Sequence, residues 1–282
     1  MALTDAPAAE TLTQAAVEEA MALSEEAGWN QLPADWGFFF DHGRVFGLRK
    51  NGALIGTAAI LPYGEDFAWL SMVLVKVSER GRGAARRLLQ HGLQALEGMG
   101  RAAVLDATPA GERVYRDLGF DGERQIERWE GFAEDCPEPA GNRTFLPIDT
   151  AERLAAVIAL DAAAFGAERG DLLTQIAARL PQAAWTTADG RAFVLGRDGA
   201  SATQLGPLIA EDDKIAEGLL SQALAKLRGP VFIDIAGDRP GLAAVLAARG
   251  FRRQRTFRRM VRGQLHLPRA TALAAIAGPE FG

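Results

Sequence analysis

The sequence predicts a mixed α/β protein composed of two tandem copies of one fold. The first observation is an apolar strand over 69–75 that leads into a glycine-rich turn and then directly into a helix. The second is an internal repeat, because much of this pattern recurs in the second half of the chain. The third is a strand pair with hairpin spacing ahead of the turn in each half. At 282 residues the chain is long enough for two domains of ordinary size.

The first half predicts an alternation of helices and strands. Apolar residues at helical spacing over Thr11–Glu26, followed by Gly28, predict a first helix. A hairpin is predicted at Arg44–Leu48 with Ala53–Leu61, then a strand over 69–75 and a helix that opens directly after the turn. A strand at Ala102–Ala107, a short helix that ends at Leu118-Gly119-Phe120 and a closing strand over 123–129 follow.

The second half repeats this order. Two helices are predicted at Thr150–Phe165 and Asp171–Leu180, followed by a hairpin at Arg191–Leu195 with Ala202–Leu205. A strand at Pro230–Ile235, a short helix that ends at Arg249-Gly250-Phe251 and a closing strand over 252–260 complete this half. Counted from the two Gly-Phe pairs, Arg128 matches Arg259, and Val75–Leu89 overlies Gly206–Leu220 without a gap. We therefore expect an amino-terminal domain over 1–135 and a carboxy-terminal domain over 143–282, joined by a proline-containing connector.

Composition and charge narrow the range of functions. With a net charge of −5 and no apolar run of the ~20 residues that a membrane helix needs, neither nucleic acid nor a membrane is an expected partner. No basic segment followed by an apolar stretch opens the chain, so we expect no secretory signal and a cytoplasmic location. The single cysteine, Cys136, excludes an internal disulfide, and three isolated histidines lack metal-ligand spacing, so no metal is expected.

The turn at Arg80–Ala85 is the strongest functional signal. Its glycines allow successive backbone amides to converge on one point, and the helix that follows adds unpaired amides and the positive end of its dipole. Such a turn favours a phosphate-bearing ligand. The turn is neither a P-loop, because no Gly-Lys-Ser/Thr follows, nor a dinucleotide fingerprint, because Gly-x-Gly-x-x-Gly is absent. The alternative interpretation is a solvated basic turn.

The order Arg80-x-x-Gly83-x-Ala85 after an aliphatic strand resembles the pyrophosphate loop of the GNAT family of acetyl-CoA-dependent N-acyltransferases. This resemblance, which extends over nearly the whole chain, implies two tandem domains, each with a central, mostly antiparallel, twisted sheet flanked by helices. It also implies acetyl-CoA as cosubstrate. The residues that it assigns to coenzyme A are Leu74, Val75, Lys76, Val77, Arg80, Gly81, Arg82, Gly83, Ala84, Ala85 and Thr108.

The two copies have diverged at the positions that carry this chemistry. The ungapped overlay places Glu211, Asp212, Asp213 and Lys214 opposite the glycine-rich turn. Carboxylates there would repel a pyrophosphate, and the glycines that permit close backbone approach are missing. We therefore infer that acyl-CoA binds only the amino-terminal domain. We expect the carboxy-terminal domain to be a degenerate copy with an acceptor-binding or structural role.

The resemblance implies a catalytic role for Tyr115. In the family, a tyrosine at this place, one turn before Leu-Gly-Phe, directs its hydroxyl at the thioester sulfur, where it can protonate the leaving thiolate. The second copy has Leu246 at the matching position. The alternative is a tyrosine that packs its ring against the Gly-Phe turn.

The general base is less defined. Many family members have a glutamate on the fourth strand, but residues 67–75 contain no acid. Asp106 on the next strand is the candidate base. The alternative is a buried structural carboxylate, which the matching Asp234 in the other copy favours.

The acceptor site is predicted on the face opposite coenzyme A. Trp29, Phe39 and Trp69 are candidate apolar walls, although each is also a candidate core residue. Arg169 and Arg197, or Arg259, are candidates to bind a carboxylate of the acceptor. The arginine-rich run over 252–262 is either an exposed alternating strand or a patch for a polyanion.

The sequence thus predicts an N-acetyltransferase that acts on a primary amine of a small metabolite or amino-acid-like acceptor, by direct attack in a ternary complex. No nucleophilic cysteine or serine with an adjacent base argues for a covalent acyl-enzyme. The alternatives are a non-catalytic acyl-CoA-binding sensor and a transferase that uses another acyl donor. We expect a monomer or a homodimer.

Overall fold

The computed structural model describes residues 8–133, 144–265 and 272–282. The predicted connector with Cys136, and His266, lie outside these ranges. In the described residues no helix is both long enough and apolar enough to cross a membrane. Two compact units are present. The first unit comprises the described parts of Met1–Leu105, Arg113–Asp121 and Val261–Leu265, and the second those of Asp106–Glu112, Gly122–Met260 and His266–Gly282.

Helices and strands alternate along the described chain as the predicted mixed α/β class requires. The elements up to residue 133 are β1 (Ala9–Thr11), α1 (Val17–Glu26), α2 (Pro33–His42), β2 (Arg44–Lys50), β3 (Ala53–Tyr63), β4 (Phe67–Val75), α3 (Ala84–Gly98), β5 (Ala102–Ala107), α4 (Pro109–Asp117) and β6 (Asp121–Phe132). Those from residue 144 are β7 (Phe145–Pro147), α5 (Ala151–Phe165), α6 (Gly170–Arg179), β8 (Trp185–Thr187), β9 (Phe193–Arg197), β10 (Thr203–Ile209), α7 (Asp213–Leu224), β11 (Pro230–Ala236), α8 (Pro240–Ala248), β12 (Arg252–Arg262) and β13 (Leu273–Ala275).

Two sequence expectations need correction. The first helix begins at Val17 instead of Thr11, because Thr11 ends strand β1, which pairs with β2. The ungapped overlay of the two turns is wrong: residues 76–83 separate β4 from α3, whereas only residues 210–212 separate β10 from α7. The shorter connection leaves no room for a second glycine-rich turn. The short strands β7, β8 and β13 have too few residues to show a period in the sequence.

The sheet of the first unit is mostly antiparallel. β1, β2, β3 and β4 are successive antiparallel neighbours, and β5 is parallel to β4. The apolar side of α3 covers one face of this sheet, where Leu88 and Leu89 are buried. The hairpin between β2 and β3 turns at Asn51 and Gly52, both with positive φ, as a two-residue turn requires.

The second unit joins strands from both sequence repeats. β6 of the first repeat pairs antiparallel with β11 of the second, from Phe132 opposite Pro230 to Ile126 opposite Ala236, and β12 lies on the other side of β6. The sheet continues from β11 through β10, β9 and β8 to β7. The sequence predicted each of the longer strands but not that the closing strand of one repeat pairs with the other repeat.

Two reciprocal ion pairs accompany this exchange within the second unit. Arg128 on β6 donates Nε and Nη2 to Asp234 at 2.7 Å each. Its repeat counterpart Arg259 donates Nε and Nη2 to Asp106 at 2.9 Å each. The side chains of Asp234 and Asp106 have no exposed surface. Each arginine therefore pairs with an aspartate that belongs to the other repeat, and both pairs are bidentate and buried.

Removing one partner of such a pair is expected to destabilise the protein strongly. Asp234→Ala leaves the Arg128 guanidinium buried without its carboxylate, which costs about 3–5 kcal/mol in the free energy of unfolding. The matched control is Asp149→Ala. Asp149 is 59% exposed and pairs with Arg153 at the surface, so its loss should cost less than about 1 kcal/mol. Urea unfolding of both variants tests the prediction, and equal losses would contradict it.

Candidate active site

The glycine-rich turn of the first unit presents free backbone amides. Gly81 and Gly83 have φ values of 75° and 78°, and beyond the adjacent residues no described atom lies within 4 Å of the position that a Cβ would take at either. Gly83 is the N-cap of α3 and supplies no side-chain cap. Among the described residues, the amides from Gly81 to Arg86 donate to no protein acceptor. Because α3 also directs the positive end of its dipole here, the turn can bind an anion.

Side-chain contacts fix the shape of this turn. The Nε of Arg80 donates to the carbonyl oxygen of Val75 at 3.0 Å, which ties the start of the turn to the end of β4. Glu79 accepts from Lys50 at 2.8 Å and from Arg82 at 3.1 Å. These two cations hold the pKa of Glu79 below its usual value, Lys50 being the larger cause. The acidic side chain immediately before the turn is therefore paired with cations and does not face the free amides as an isolated charge.

Strands β4 and β5 separate immediately before the turn. They pair in parallel at three positions only, the last being Trp69 with Val104. Farther along β4, Met72 adopts a φ of 53°, and Met72 and Val73 together face the single residue Ala58 of β3. The Thr57 hydroxyl donates to the Met72 carbonyl at 2.9 Å and stabilises this bulge. In the described residues the edge of β4 beyond Trp69 therefore pairs with no strand, and apart from the Val75 carbonyl that Arg80 binds it can bond a ligand that carries amide groups.

The other residues assigned to coenzyme A lie at several places. Leu74 is buried, Val75 is half-buried, and Lys76 and Val77 are exposed after the strand end. Ala84 and Ala85 form the first turn of α3, while Arg82 extends into solvent. Thr108 belongs to the second unit, where its hydroxyl accepts from the amide of Gly111 at the start of α4.

Tyr115 lies on α4 in the part that belongs to the first unit. Its ring meets Phe120 edge-on at 5.9 Å, so the predicted packing against the Gly-Phe turn is present. Within the described part of the chain its hydroxyl has no hydrogen-bond partner. Burial raises the pKa of Tyr115 to about 12. The phenol is therefore protonated at neutral pH and free to donate to a ligand, so the geometry is compatible with both roles.

Asp106 is committed to Arg259. Both of its carboxylate oxygens accept from the guanidinium, and the side chain has no exposed surface. Burial raises the pKa of Asp106, and the charge of Arg259 opposes that rise. A carboxylate with both oxygens occupied and no route to solvent is poorly placed to take a proton from an amine. The geometry favours the structural alternative for this residue.

The predicted acceptor residues divide between the two units. In the first unit Phe39 and Trp69 are completely buried, which favours a core role, and Trp29 is partly exposed. In the second unit Arg169 donates to Asp161 at 2.7 and 2.9 Å, and Arg197 pairs with Glu280. Both guanidinium groups are buried with carboxylates of the protein. These contacts favour a structural role for the two arginines.

The second unit closes the equivalent of the anion site with its own carboxylates. Asp212 is the N-cap of α7, and its side chain accepts from the amide of Ile215 at 2.8 Å. Asp213 pairs with Arg239 at 3.0 Å. The start of this helix is therefore already capped by a negative charge of the chain, so an added phosphate would meet repulsion.

The second unit also fills the gap between its diverging strands. β10 and β11 pair in parallel at three positions, from Thr203 with Val231 to Leu205 with Ile233, as β4 and β5 do. Beyond them β13 pairs antiparallel with both β10 and β11. A Cβ at Gly206 would overlap the Ile276 carbonyl, so this close approach requires glycine. The strand edge that is open in the first unit is bonded to the chain's own segment here. Sequence reasoning missed this segment.

Comparisons with known proteins indicate one family for both parts of the chain. A model described as "Acetyltransferase (GNAT) family" matches residues 10–120, and one described as "Acetyltransferase (GNAT) domain" matches residues 157–273. The chain is 25% identical over 269 residues to holothin acyltransferase of Pseudoalteromonas sp. (strain SANK 73390), which covers 86% of this chain and 85% of that protein. It is 25% identical over 238 residues to the uncharacterized N-acetyltransferase YitH of Bacillus subtilis (strain 168), with coverage of 81% and 82%.

Solved structures share the fold over most of the chain. A candidate acetyltransferase from Pyrococcus horikoshii superposes with a TM-score of 0.81 at 17% identity and covers 100% of this chain and 98% of its own. A tandem GNAT protein from the clavulanic acid biosynthesis pathway gives a TM-score of 0.64 at 18% identity, with coverage of 92% and 99%. At these identities the likeness concerns the fold alone.

The raised pKa of Tyr115 leads to a prediction about alkaline stability. The pKa of Tyr115 is about 12 in the folded protein and about 10 when unfolded. The stabilisation that its protonated hydroxyl adds to the free energy of unfolding is therefore fully present below about pH 10 and is lost as the pH rises toward 12. Between about pH 9 and 11.5 the free energy of unfolding of the native protein should fall by about 1–2 kcal/mol more than that of Tyr115→Phe. Urea titrations at the two pH values measure this, and equal decreases would refute it.

Proposed function

Because two GNAT models together match most of the chain, the protein belongs to the GNAT acyltransferase family as a tandem member, and we propose that its first unit transfers an acetyl group from acetyl-CoA to a primary amine of a small acceptor. The acceptor attacks the thioester directly in a ternary complex. The second unit serves as a structural partner that binds no acyl-CoA.

One contrast carries this proposal. Among the described residues, the first unit has a turn with unbonded amides and an edge of β4 that pairs with no strand beyond Trp69. In the second unit the corresponding helix start is capped by Asp212, and the corresponding strand gap is filled by β13. β13 also indicates which ligand such a gap accepts, namely an extended chain with amide groups. The pantetheine arm of coenzyme A has this chemistry, and its pyrophosphate suits the turn.

The residues of the first unit would have separate tasks. The amides from Gly81 to Arg86 would hold the pyrophosphate. The edge of β4 around Leu74 and Val75, which pairs with no described strand, would hold the amides of the arm and orient the acetyl carbonyl. The thioester supplies the activated acetyl group. The Tyr115 hydroxyl, protonated up to a pKa of about 12, would donate to the leaving sulfur.

The proton lost by the attacking amine needs a route that does not depend on Asp106. That carboxylate is bonded twice to Arg259 and has no exposed surface. We propose that the proton leaves through water, so no side-chain base is required. An acceptor that reaches the site as the neutral amine would meet this condition.

Two alternatives remain distinct from this proposal. A sensor would bind acyl-CoA without turnover. A transferase for another acyl group is supported by the name of one relative, which specifies an acyltransferase and not an acetyltransferase. The proposal also includes a small amine as acceptor, a cytoplasmic location, and a monomer or homodimer. Assays with an amine panel test the acceptor, cell fractionation tests the location, and light scattering tests the oligomeric state.

The turn predicts where coenzyme A binds. Gly83→Glu would place a side chain and a negative charge among the free amides, and we expect the affinity for coenzyme A to fall at least about 100-fold. Gly100→Glu is the matched control, because Gly100 also has a positive φ and an open Cβ position but follows the far end of α3. Calorimetric titration should give one site per chain in the native protein and in the control. Two sites per chain, or unchanged binding by Gly83→Glu, would refute the assignment.

The role of Tyr115 predicts a loss of turnover without a loss of binding. Tyr115→Phe removes the proton donor and should lower kcat by roughly 10²–10⁴-fold while the affinity for coenzyme A changes less than about threefold. Tyr63→Phe, at the other tyrosine of the chain, is the control and should retain kcat. Thiol release from acetyl-CoA with a panel of amino acids, diamines and amino sugars measures kcat for both variants. Tight binding by the native protein with no thiol release from any amine would instead support the sensor.

A further inference from the structure

Ser71 carries the only side-chain oxygen of β4. The strand Phe67–Val75 is otherwise apolar apart from the indole nitrogen of Trp69. Ser71 is 9% exposed, and its Oγ has no hydrogen-bond partner among the described residues. A buried hydroxyl without a partner is a cost that folded proteins seldom retain, and a ligand that supplies the missing bond removes it.

The side chain of Ser71 lies on the face of the sheet away from α3. Leu70, its neighbour, has Cδ1 3.3 Å from the Cβ position of Gly92 on α3, and Ile60 is at 3.7 Å from the same position. Ile60 and Leu70 are cross-strand partners, and so are Ala59 and Ser71. Since adjacent residues of a strand point to opposite faces, Ser71 points away from α3. The glycine-rich turn leads into α3, so donor phosphates and Ser71 are on different sides.

The position of Ser71 along β4 coincides with the open part of the strand. The last pair between β4 and β5 is Trp69 with Val104, and the bulge at Met72 begins one residue after Ser71. Bulges redirect side chains and are frequent beside active sites. Asp106, the other residue of β4 and β5 with a side-chain oxygen, is already occupied by Arg259. Ser71 is therefore the polar side chain of these two strands that has no hydrogen-bond partner among the described residues.

We propose that the Ser71 hydroxyl contacts the amine of the acceptor and orients it for attack. This inference rests on the proposed acetyl transfer. Ser71 Oγ accepts a hydrogen bond from an N–H of the amine, which directs the nitrogen lone pair at the acetyl carbon. A C–N bond forms and the C–S bond breaks. The sulfur takes a proton from the Tyr115 hydroxyl, and the amine releases its proton to water, from which Tyr115 is reprotonated. Ser71 keeps its own proton throughout.

The test compares two buried serines of the first unit. Ser71→Ala removes a hydroxyl that has no partner, so its melting temperature should be unchanged or higher than that of the native protein. Ser24→Ala is the matched control, since Ser24 is also buried but accepts from the indole Nε1 of Trp36 at 3.0 Å. This control should lower the melting temperature and leave the kinetics for the amine unchanged.

Kinetics with the best amine of the panel complete the test. For Ser71→Ala we expect kcat/KM for that amine to fall at least about tenfold, with the affinity for coenzyme A within about twofold of the native value. A kcat/KM for the amine within about twofold of the native protein overturns the proposal, and so does an equal loss in coenzyme A affinity. If the native protein itself releases no thiol with any amine, the proposed acetyl transfer is refuted. If the native protein releases thiol and Ser71→Ala has the same kcat/KM for the amine, only the proposed role of Ser71 is refuted.

Discussion

Two parallel strands that diverge leave backbone amides and carbonyls that need partners, and this requirement underlies the difference between the two units. β4 and β5 separate after Trp69, and β10 and β11 separate after Leu205. In the second unit β13 pairs along the gap and meets the requirement within the chain. In the described first unit no strand does so for β4. Because buried backbone groups are nearly always bonded, the first unit suits an amide-bearing ligand and the second does not.

The two units also differ in the charge at the start of the helix that follows the diverging strands. The second unit places Asp212 at the start of α7 and satisfies an orphan amide with its own carboxylate, whereas Gly83 starts α3 without a side-chain cap. Divergence of the repeat has therefore changed more than one residue type. In the second unit, parts of the chain fill two adjacent positions, a strand edge and a helix start, that are open in the described residues of the first unit. A unit stabilised in this way is suited to support its partner strands instead of binding a second cosubstrate.

Arginine residues illustrate why side-chain chemistry alone does not distinguish an acceptor site from internal ion pairs. Arg169, Arg197 and Arg259 have the chemistry of carboxylate clamps, and all three bind carboxylates, but these are Asp161, Glu280 and Asp106 of the chain itself. The sequence separations, from 8 to 153 residues, hide such partners. Conversely, Ser71 gave no signal in the sequence, because a lone serine in an apolar strand is unremarkable until its hydroxyl is found buried without a bond.

The sequence by itself determined the local elements, the repeat and the glycine-rich turn, because strand and helix periods and the positive φ of Gly81 and Gly83 depend on residues close together in the chain. Only the tertiary structure decided which strands pair. β6 lies between β11 and β12, and Arg128 and Arg259 each bind the aspartate of the other repeat. The physical reason is that two related repeats have closing strands of similar pattern, so either partner satisfies the local preferences. The choice between them depends on contacts more than a hundred residues apart.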